Sequence, residues 1–411
     1  MIAVRNVTRI RIEIWQIMLF GALAVLILGE ISLKSAFFAI NYDVILFLFG
    51  TFVVGEALSQ SGALIPLSER IFKRSKSPFI FFLILIFGAG LLSAVLMNDT
   101  VAIIGTFFVL MLSKKTSIPA EMLLLILAFS VTTGSVLSPV GNPQNLLIAS
   151  GSGIENPFLT FAVYLLVPTL ISLLLIYPVM RIFYPYSLSF RDIPMLSRSD
   201  DEENYASGGV PVGGKKPARI AIFSLGVLIF MIFLKILAGF LGFSDYFPLT
   251  AIALAGAVPV MLLSKKRFEI IKGIDWHTLV FFMAMFVLMQ SVWDAGFIQG
   301  IFTGPGEFFS SAGGIFAAGI IVSQFISNVP FVALFMPIIE ISGASESIYM
   351  ALAAGSTLAG NFLLFGAASN IIIVQNAEKR GEKIGFLRFA RVGIPLTLIQ
   401  SAVYILWLGF I

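Results

Sequence analysis

The sequence predicts an all-α polytopic membrane protein made of inverted repeats, with two re-entrant helical hairpins and two broken transmembrane helices. Three observations predict it. The 411 residues are 58% hydrophobic and 12% charged, with a mean hydropathy of +1.01. A chain this apolar has too little polar surface to face water, so its solvent is lipid. Apolar runs of about 20 residues, enough to cross a bilayer, alternate with loops whose Lys and Arg collect on one side. Four of the runs are interrupted by polar residues, in the same order in both halves.

The charges set the path. Arg5, Arg9 and Arg11 place the N-terminus in the cytoplasm, and the run from Ile14 to Ser32 goes outward as a retained span, with no cleavage site after it. Val44 to Gln60 returns to Arg70, Lys73, Arg74 and Lys76. The stretch 79–112 is too long for one span and both its ends look cytoplasmic. Two full spans would also satisfy the charges, but the polar triplet Asn98-Asp99-Thr100 makes a poor external turn. A hairpin turning there is the expectation. The run 119–150 goes outward, broken at Ser138 to Gln144, and Phe158 to Ile182 comes back. Residues 191–219, with mixed charge and a Gly-rich patch, read as a cytoplasmic linker.

The second half repeats the plan. Ile220 to Leu241 goes out, Phe247 to Leu263 returns, and Leu279 to Phe297 goes out again. A hairpin over 315–341 turns at Ser327-Asn328-Val329-Pro330 and enters from outside. The run 349–374 is broken at Gly366 to Asn370 and leads to Lys379, Arg380, Lys383, Arg388 and Arg391. Val392 to Leu408 then leaves the C-terminus outside. The expected organisation is therefore a first repeat over 1–190, the linker 191–219 and a second repeat over 220–411, in the cell membrane.

Tyr42 to Leu64 lies on Trp276 to Ile298 without a gap, pairing Gly62 with Gly296. Ser93 to Asn98 lies on Ser323 to Asn328, and Gly141 to Asn145 lies on Gly366 to Asn370. The matched segments run in opposite directions, the pattern of an inverted-topology repeat. Non-helical backbone at membrane depth is tolerated only when buried in protein or lining a polar cavity. Helix N-termini exposed there attract anions, while carbonyl and side-chain oxygens hold cations.

Met97-Asn-Asp-Thr-Val-Ala102, Ser327-Asn-Val-Pro330, Gly141-Asn-Pro-Gln-Asn-Leu146 and Gly360 to Asn370 resemble the motifs of the ion transporter superfamily. The likeness is to the arsenite permease and sodium/proton antiporter families, and to the related citrate and divalent anion/sodium symporters. It implies a scaffold domain, a mobile transport domain and a homodimer. Two spans precede the first hairpin and three the second, so one N-terminal family helix has no match. The Ser-Asn-Thr triplet of sodium-coupled symporters stands here as Asn98-Asp99-Thr100 and Ser327-Asn328-Val329, which weakens a carry-over of their sodium sites.

The candidate substrate- and ion-binding residues are Asn98, Asp99, Thr100, Gly141, Asn142, Asn145, Ser327, Asn328, Asn361, Ser369 and Asn370. Asp99 leads, because a carboxylate at membrane depth costs several kcal/mol unless hydrated or partnered. The alternative is a turn-capping Asp in an extramembrane loop. The four Asn of the tips and breaks suit an ion or substrate oxygens, and equally suit helix capping. Ser135, Ser138 and Thr357 could add hydroxyls or serve as packing. Glu56 and Asp294 lie near span ends, Lys235 is expected to snorkel, and His277 sits at a cytoplasmic boundary beside the interface anchor Trp276, with a proton relay as the lesser alternative.

With no Cys and one His, thiolate sites are excluded and a His-based metal site is disfavoured. Na⁺ at Asn98, Asp99 and Asn328 is the metal-like exception. No nucleotide-binding loop is present, so primary pumping would need a partner ATPase. Nothing points to an enzyme, a nucleic-acid partner or a cofactor beyond a coupling H⁺ or Na⁺. The expected function is secondary active transport of a small inorganic or organic anion or oxyacid, arsenite-permease-like, by alternating access. A Na⁺/H⁺ antiporter, a Na⁺-coupled di- or tricarboxylate symporter and an ion channel are the alternatives.

Overall fold

A computed structural model describes residues 13–63, 77–116, 118–185, 215–243, 247–296, 311–341 and 343–411. The first half contains α1 (Ile14–Ile27), α2 (Leu33–Ala39), α3 (Tyr42–Ser61), α4 (Pro78–Leu96), α5 (Asn98–Thr116), α6 (Ala120–Ser135), α7 (Pro143–Gly151) and α8 (Pro157–Phe183). The second contains α9 (Lys215–Phe240), α10 (Leu249–Leu263), α11 (Arg267–Gly273), α12 (Trp276–Asp294), α13 (Ala312–Ile326) and α14 (Asn328–Ile341). It ends with α15 (Glu346–Phe362), a 3-10 turn (Leu364–Gly366), α16 (Ala368–Glu378) and α17 (Phe386–Phe410). Six of these helices are long and apolar enough to cross a membrane.

The chain is an all-α polytopic membrane protein with an inverted repeat, and the local chemistry of the two halves corresponds. Helix α3 is capped by Asn41, whose Oδ1 accepts from Val44 N–H at 3.1 Å; Asp275 does the same for α12 through Thr278 N–H at 3.0 Å. Ser77 and Ser311 cap the first arm of each hairpin. Gly62 follows α3 and Gly296 follows α12, with φ of 61° and 71°, the left-handed region that favours glycine. The hairpin turns correspond too: Met97 has φ 66° and Ser327 has φ 71°, and these are the positive-φ non-Gly residues among the described positions.

The order α1–α2–α3 matches α10–α11–α12, which leaves α9 without a counterpart among the described residues of the first half. The halves interlock, since α3 packs on α10 while α1 packs on α12. Each hairpin's first arm lies against the first part of a broken helix through facing glycines, Gly90 on Gly134 and Gly319 on Gly355. Small residues at such crossings let helix backbones approach in lipid. Phe223, Phe230 and Phe233 on α9 are exposed, as expected of a lipid-facing span. A small separate cluster of Ala22, Ile31, Ala36, Ala284 and Val287 joins α1 and α2 to α12.

Several expectations change. The first turn sits one residue earlier, at Met97, because Asn98-Asp99-Thr100 is the first turn of α5, and the second is confined to Ser327, the first residue of the expected turn, because Asn328 starts α14. The first outward run does not stay helical to Ser32: α1 ends at Ile27, and Ser32 instead caps the short helix α2. Lys235 does not snorkel; it is buried and has an interaction partner there. Helix α9 begins at Lys215, inside the stretch read as linker. The rest of that linker, Leu64, the pair Phe297-Ile298, and the basic residues Arg5, Arg9, Arg11, Arg70, Lys73, Arg74 and Lys76 lie outside the described residues.

Candidate functional site

Both hairpin tips and both helix breaks meet at one cavity of about 210 Å³. The first residues of four helices line it: Asn98 of α5, Pro143 of α7, Asn328 of α14 and Ala368 of α16. A helix N-terminus carries unsatisfied N–H groups and roughly half a positive charge. Four such ends therefore turn toward one small volume. Asp99, Gln144 and Ser327 complete its inner wall, and Phe282, Val329 and Phe365 give it apolar surface. Glu13, Trp15, Asp275 and His277 form a mouth on the side where α1 and α12 begin. No Lys or Arg is among the described lining residues.

The first tip is held by the first break. The Asn98 N–H donates to the Gly141 carbonyl at 2.8 Å, and the Asn98 side chain accepts from the Asp99 N–H at 2.9 Å. Asp99 is 5% exposed, and its Oδ1 has no hydrogen-bond partner among the described residues. Thr100 is buried against Gly55 of α3, where any larger residue would collide with it. At the second tip the Ser327 hydroxyl donates to Asn328 Oδ1 at 3.3 Å.

Asn142 and Asn145 are structural at the first break. Asn142 Oδ1 caps α7 by accepting from Asn145 N–H at 2.8 Å, and its amide donates to Ser135 Oγ and Thr357 Oγ1. The Asn145 amide donates to the carbonyls of Ser135 and Val136 at the end of α6 and to that of Ser138 within the break.

Residues 3–348 match the family described as CitMHS, citrate transporter. The chain belongs to the CitMHS citrate transporter family. It is 26% identical to an uncharacterized transporter of Mycobacterium tuberculosis (strain ATCC 25618 / H37Rv), covering 97% of this chain and 94% of that protein. A 46 kDa membrane protein of Mycobacterium leprae is 25% identical over 96% of this chain and 93% of its own. Among solved structures, the Alcanivorax borkumensis YdaH transporter aligns with a TM-score of 0.57 at 12% identity, covering 97% of this chain and 98% of that one. That last likeness supports the fold. This CitMHS chain is thus a membrane transporter and not an enzyme.

In this CitMHS chain the sequence-predicted residues divide into two groups. Asn98, Asp99, Ser327 and Asn328 line the cavity. Thr100, Gly141, Asn142, Asn145, Asn361, Ser369 and Asn370 stand behind it. Asn361 donates to Thr133 Oγ1 and Gln400 Oε1, tying α15 to α6 and α17. Asn370 donates to the Gly360 carbonyl at 2.6 Å across the second break. Glu56 and Asp294 lie elsewhere, each accepting from a glutamine one turn away at 2.8 Å. Gln144, Glu13, Trp15 and Asp275 are wall residues that sequence reasoning missed. They are scattered along the chain and only the interlocking of α1, α7 and α12 collects them.

Proposed function

We propose that this CitMHS chain is a secondary active transporter for a small carboxylate or related oxyanion, coupled to H⁺ or Na⁺ by alternating access. The observation that carries it is the meeting of four helix N-termini and one buried carboxylate at a single cavity. The helix ends would hold the anion, and Asp99, with Asn98 and Asn328, would hold the coupling cation beside it. With no basic side chain among the described wall residues, the cation bound beside the anion offsets its charge, which couples the movement of the two. The family's citrate favours a carboxylate over arsenite. The remaining candidates, from Thr100 to Asn370, would shape the two breaks.

The charge of the wall supports a second reading. Glu13, Asp99 and Asp275 face one cavity, an arrangement that also suits Na⁺/H⁺ exchange with no anion. The proposed setting is the cell membrane, as a homodimer, with the cavity mouth and the N-terminus cytoplasmic and the C-terminus outside. Two repeats flank the linker, as the sequence suggests.

Flux into proteoliposomes separates the readings. Citrate, succinate, sulfate, arsenite and radiolabelled Na⁺ are offered under an imposed pH or Na⁺ gradient. Gradient-driven citrate or succinate uptake is the expected result. Movement of Na⁺ against H⁺ with no anion uptake would establish the exchanger and overturn the first reading.

A further inference from the structure

Four helix N-termini give the cavity donors for an anion, and an anion that carries a hydroxyl also needs an acceptor there. Gln144 supplies one if its amide is held one way round. The hydrogen bonds of the first break hold it so. The Asn145 amide nitrogen faces the carbonyls of Ser135, Val136 and Ser138, at 3.1, 3.3 and 3.0 Å. Its Oδ1 therefore points the other way and takes the Thr357 hydroxyl proton at 3.2 Å. A hydroxyl has one proton to give, so Thr357 accepts from its other neighbours. Those are the amide nitrogens of Asn142, at 3.1 Å, and Gln144, at 3.2 Å. Asn142 is fixed independently, because its Oδ1 takes the Asn145 N–H at 2.8 Å. Gln144 thus turns Nε2 to Thr357 and Oε1 away from it.

Gln144 is 2% exposed and belongs to the cavity wall. Its Oε1 has no hydrogen-bond partner among the described residues, yet it is not one of the oxygens sealed away without a partner. The backbone of the same residue complements it. Gln144 is the second residue of α7: Pro143 before it has no N–H, and the Asn145 N–H after it donates to Asn142. No acceptor takes the Gln144 N–H among the described residues. One residue therefore offers the cavity a free donor at a helix N-terminus and a neutral acceptor beside it. The other amides of the wall differ. Asn98 and Asn328 commit their Oδ1 atoms to the Asp99 N–H and the Ser327 hydroxyl. Gln375 is exposed, about two turns along α16 from Ala368. Asp99 also accepts, but in the proposed cycle its carboxylate serves the coupling cation.

We infer that Gln144 is the specificity-determining residue of the cavity and selects 2-hydroxycarboxylates, with Thr357 as its positioning residue. This rests on the proposed reading of the cavity as a carboxylate site. The Gln144 N–H holds a carboxylate oxygen, and Oε1 accepts from the hydroxyl on the neighbouring carbon. A carboxylate without that hydroxyl leaves Oε1 desolvated and unpaired, which penalises it beyond the lost attraction. Thr357 never touches the substrate; it keeps the carbonyl end of the amide turned toward it.

The test compares substrates that differ in that hydroxyl alone: citrate with tricarballylate, and malate with succinate. The members of each pair carry equal numbers of carboxylates, so the helix ends treat them alike. Gradient-driven uptake into proteoliposomes gives kcat/KM for each. Wild type is expected to favour the hydroxylated member about tenfold or more. Gln144→Met and Gln144→Leu lack the acceptor, and in either one that folds, judged by its thermal midpoint, the ratio falls to near one. Thr357→Val lets the amide turn and lowers the ratio, whereas Thr357→Ser keeps the hydroxyl and keeps the ratio. Equal kcat/KM for both members in wild type overturns the inference and leaves the carboxylate reading standing. An undiminished ratio in Gln144→Met or Gln144→Leu places hydroxyl recognition on another residue and also overturns it. Equal ratios in the two Thr357 variants overturn the positioning role. If wild type takes up none of the four carboxylates, the inference and the carboxylate reading fall together.

Discussion

The two halves share a backbone and differ in what they leave unsatisfied. At the first tip, Asn98 is followed by Asp99; at the second, Asn328 is followed by Val329, so the carboxylate exists once. The breaks differ in the opposite sense. Thr357 of α15 reaches across to the first break, donating to Asn145 Oδ1 at 3.2 Å and accepting from Asn142 and Gln144. Its counterpart Thr132 of α6 lies beside Gly360 at the second break. There, Thr132 Oγ1, Ser369 Oγ and Asn370 Oδ1 have no partner among the described residues. The first repeat thus joins a charged tip to a fully tied break, whereas the second joins a neutral tip to a break with uncommitted buried oxygens around it, each of which costs free energy unless something occupies it during the cycle.

The sharpest way to break this comparison is to move the charge. In Asp99→Val/Val329→Asp the carboxylate sits on the other tip in the same backbone geometry. Gradient-driven uptake is expected to fall by about 100-fold, a loss of nearly 3 kcal/mol of coupling at 1.4 kcal/mol per decade. Retention of coupled uptake by the double variant would show that either tip can carry the charge.

The strained turns give a second contrast, read by thermal unfolding in detergent. Each positive-φ residue stores about 1–3 kcal/mol. Ser327→Gly releases that strain at little cost in packing and raises the midpoint. Met97 is fully buried and its sulfur accepts from Thr51 Oγ1 at 3.2 Å. Met97→Gly therefore loses about 2–5 kcal/mol of core packing, more than the strain released, and lowers the midpoint.

The smallest expected effect separates the breaks. Thr357→Val strips partners from three amide side chains and destabilises by about 1–3 kcal/mol. Thr132→Val replaces a hydroxyl that has no partner among the described residues, so its effect stays within about 0.5 kcal/mol. Equal losses would mean that the two breaks are tied alike.

Much of this was legible in the sequence. Polar residues in the middle of apolar runs mark both tips and both breaks, because lipid permits such residues only where the protein can enclose them. The first turn fell one residue early since its strained residue is a Met with no turn signature, while the Asn after it carries the polarity. Helices α2 and α11 span too few residues for a hydrophobic period to register. Thr132 and Thr357 look identical in sequence, and only the packing of α6 and α15 shows that one is engaged. The cavity mouth was illegible for a similar reason: Glu13 and Trp15 meet Asp275 and His277 because α1 crosses to the opposite repeat.

The most direct test of the central claim compares wild type with Asp99→Asn in proteoliposomes, measuring net gradient-driven citrate uptake and citrate counterflow side by side. Asp99→Asn is expected to lose net uptake and its dependence on the driving gradient, because the amide takes up no proton and brings no negative charge to hold Na⁺. Counterflow continues, because the helix ends still bind the anion. Net uptake by Asp99→Asn at the wild-type rate, with the same dependence on the gradient, would contradict the account and place coupling elsewhere in the molecule.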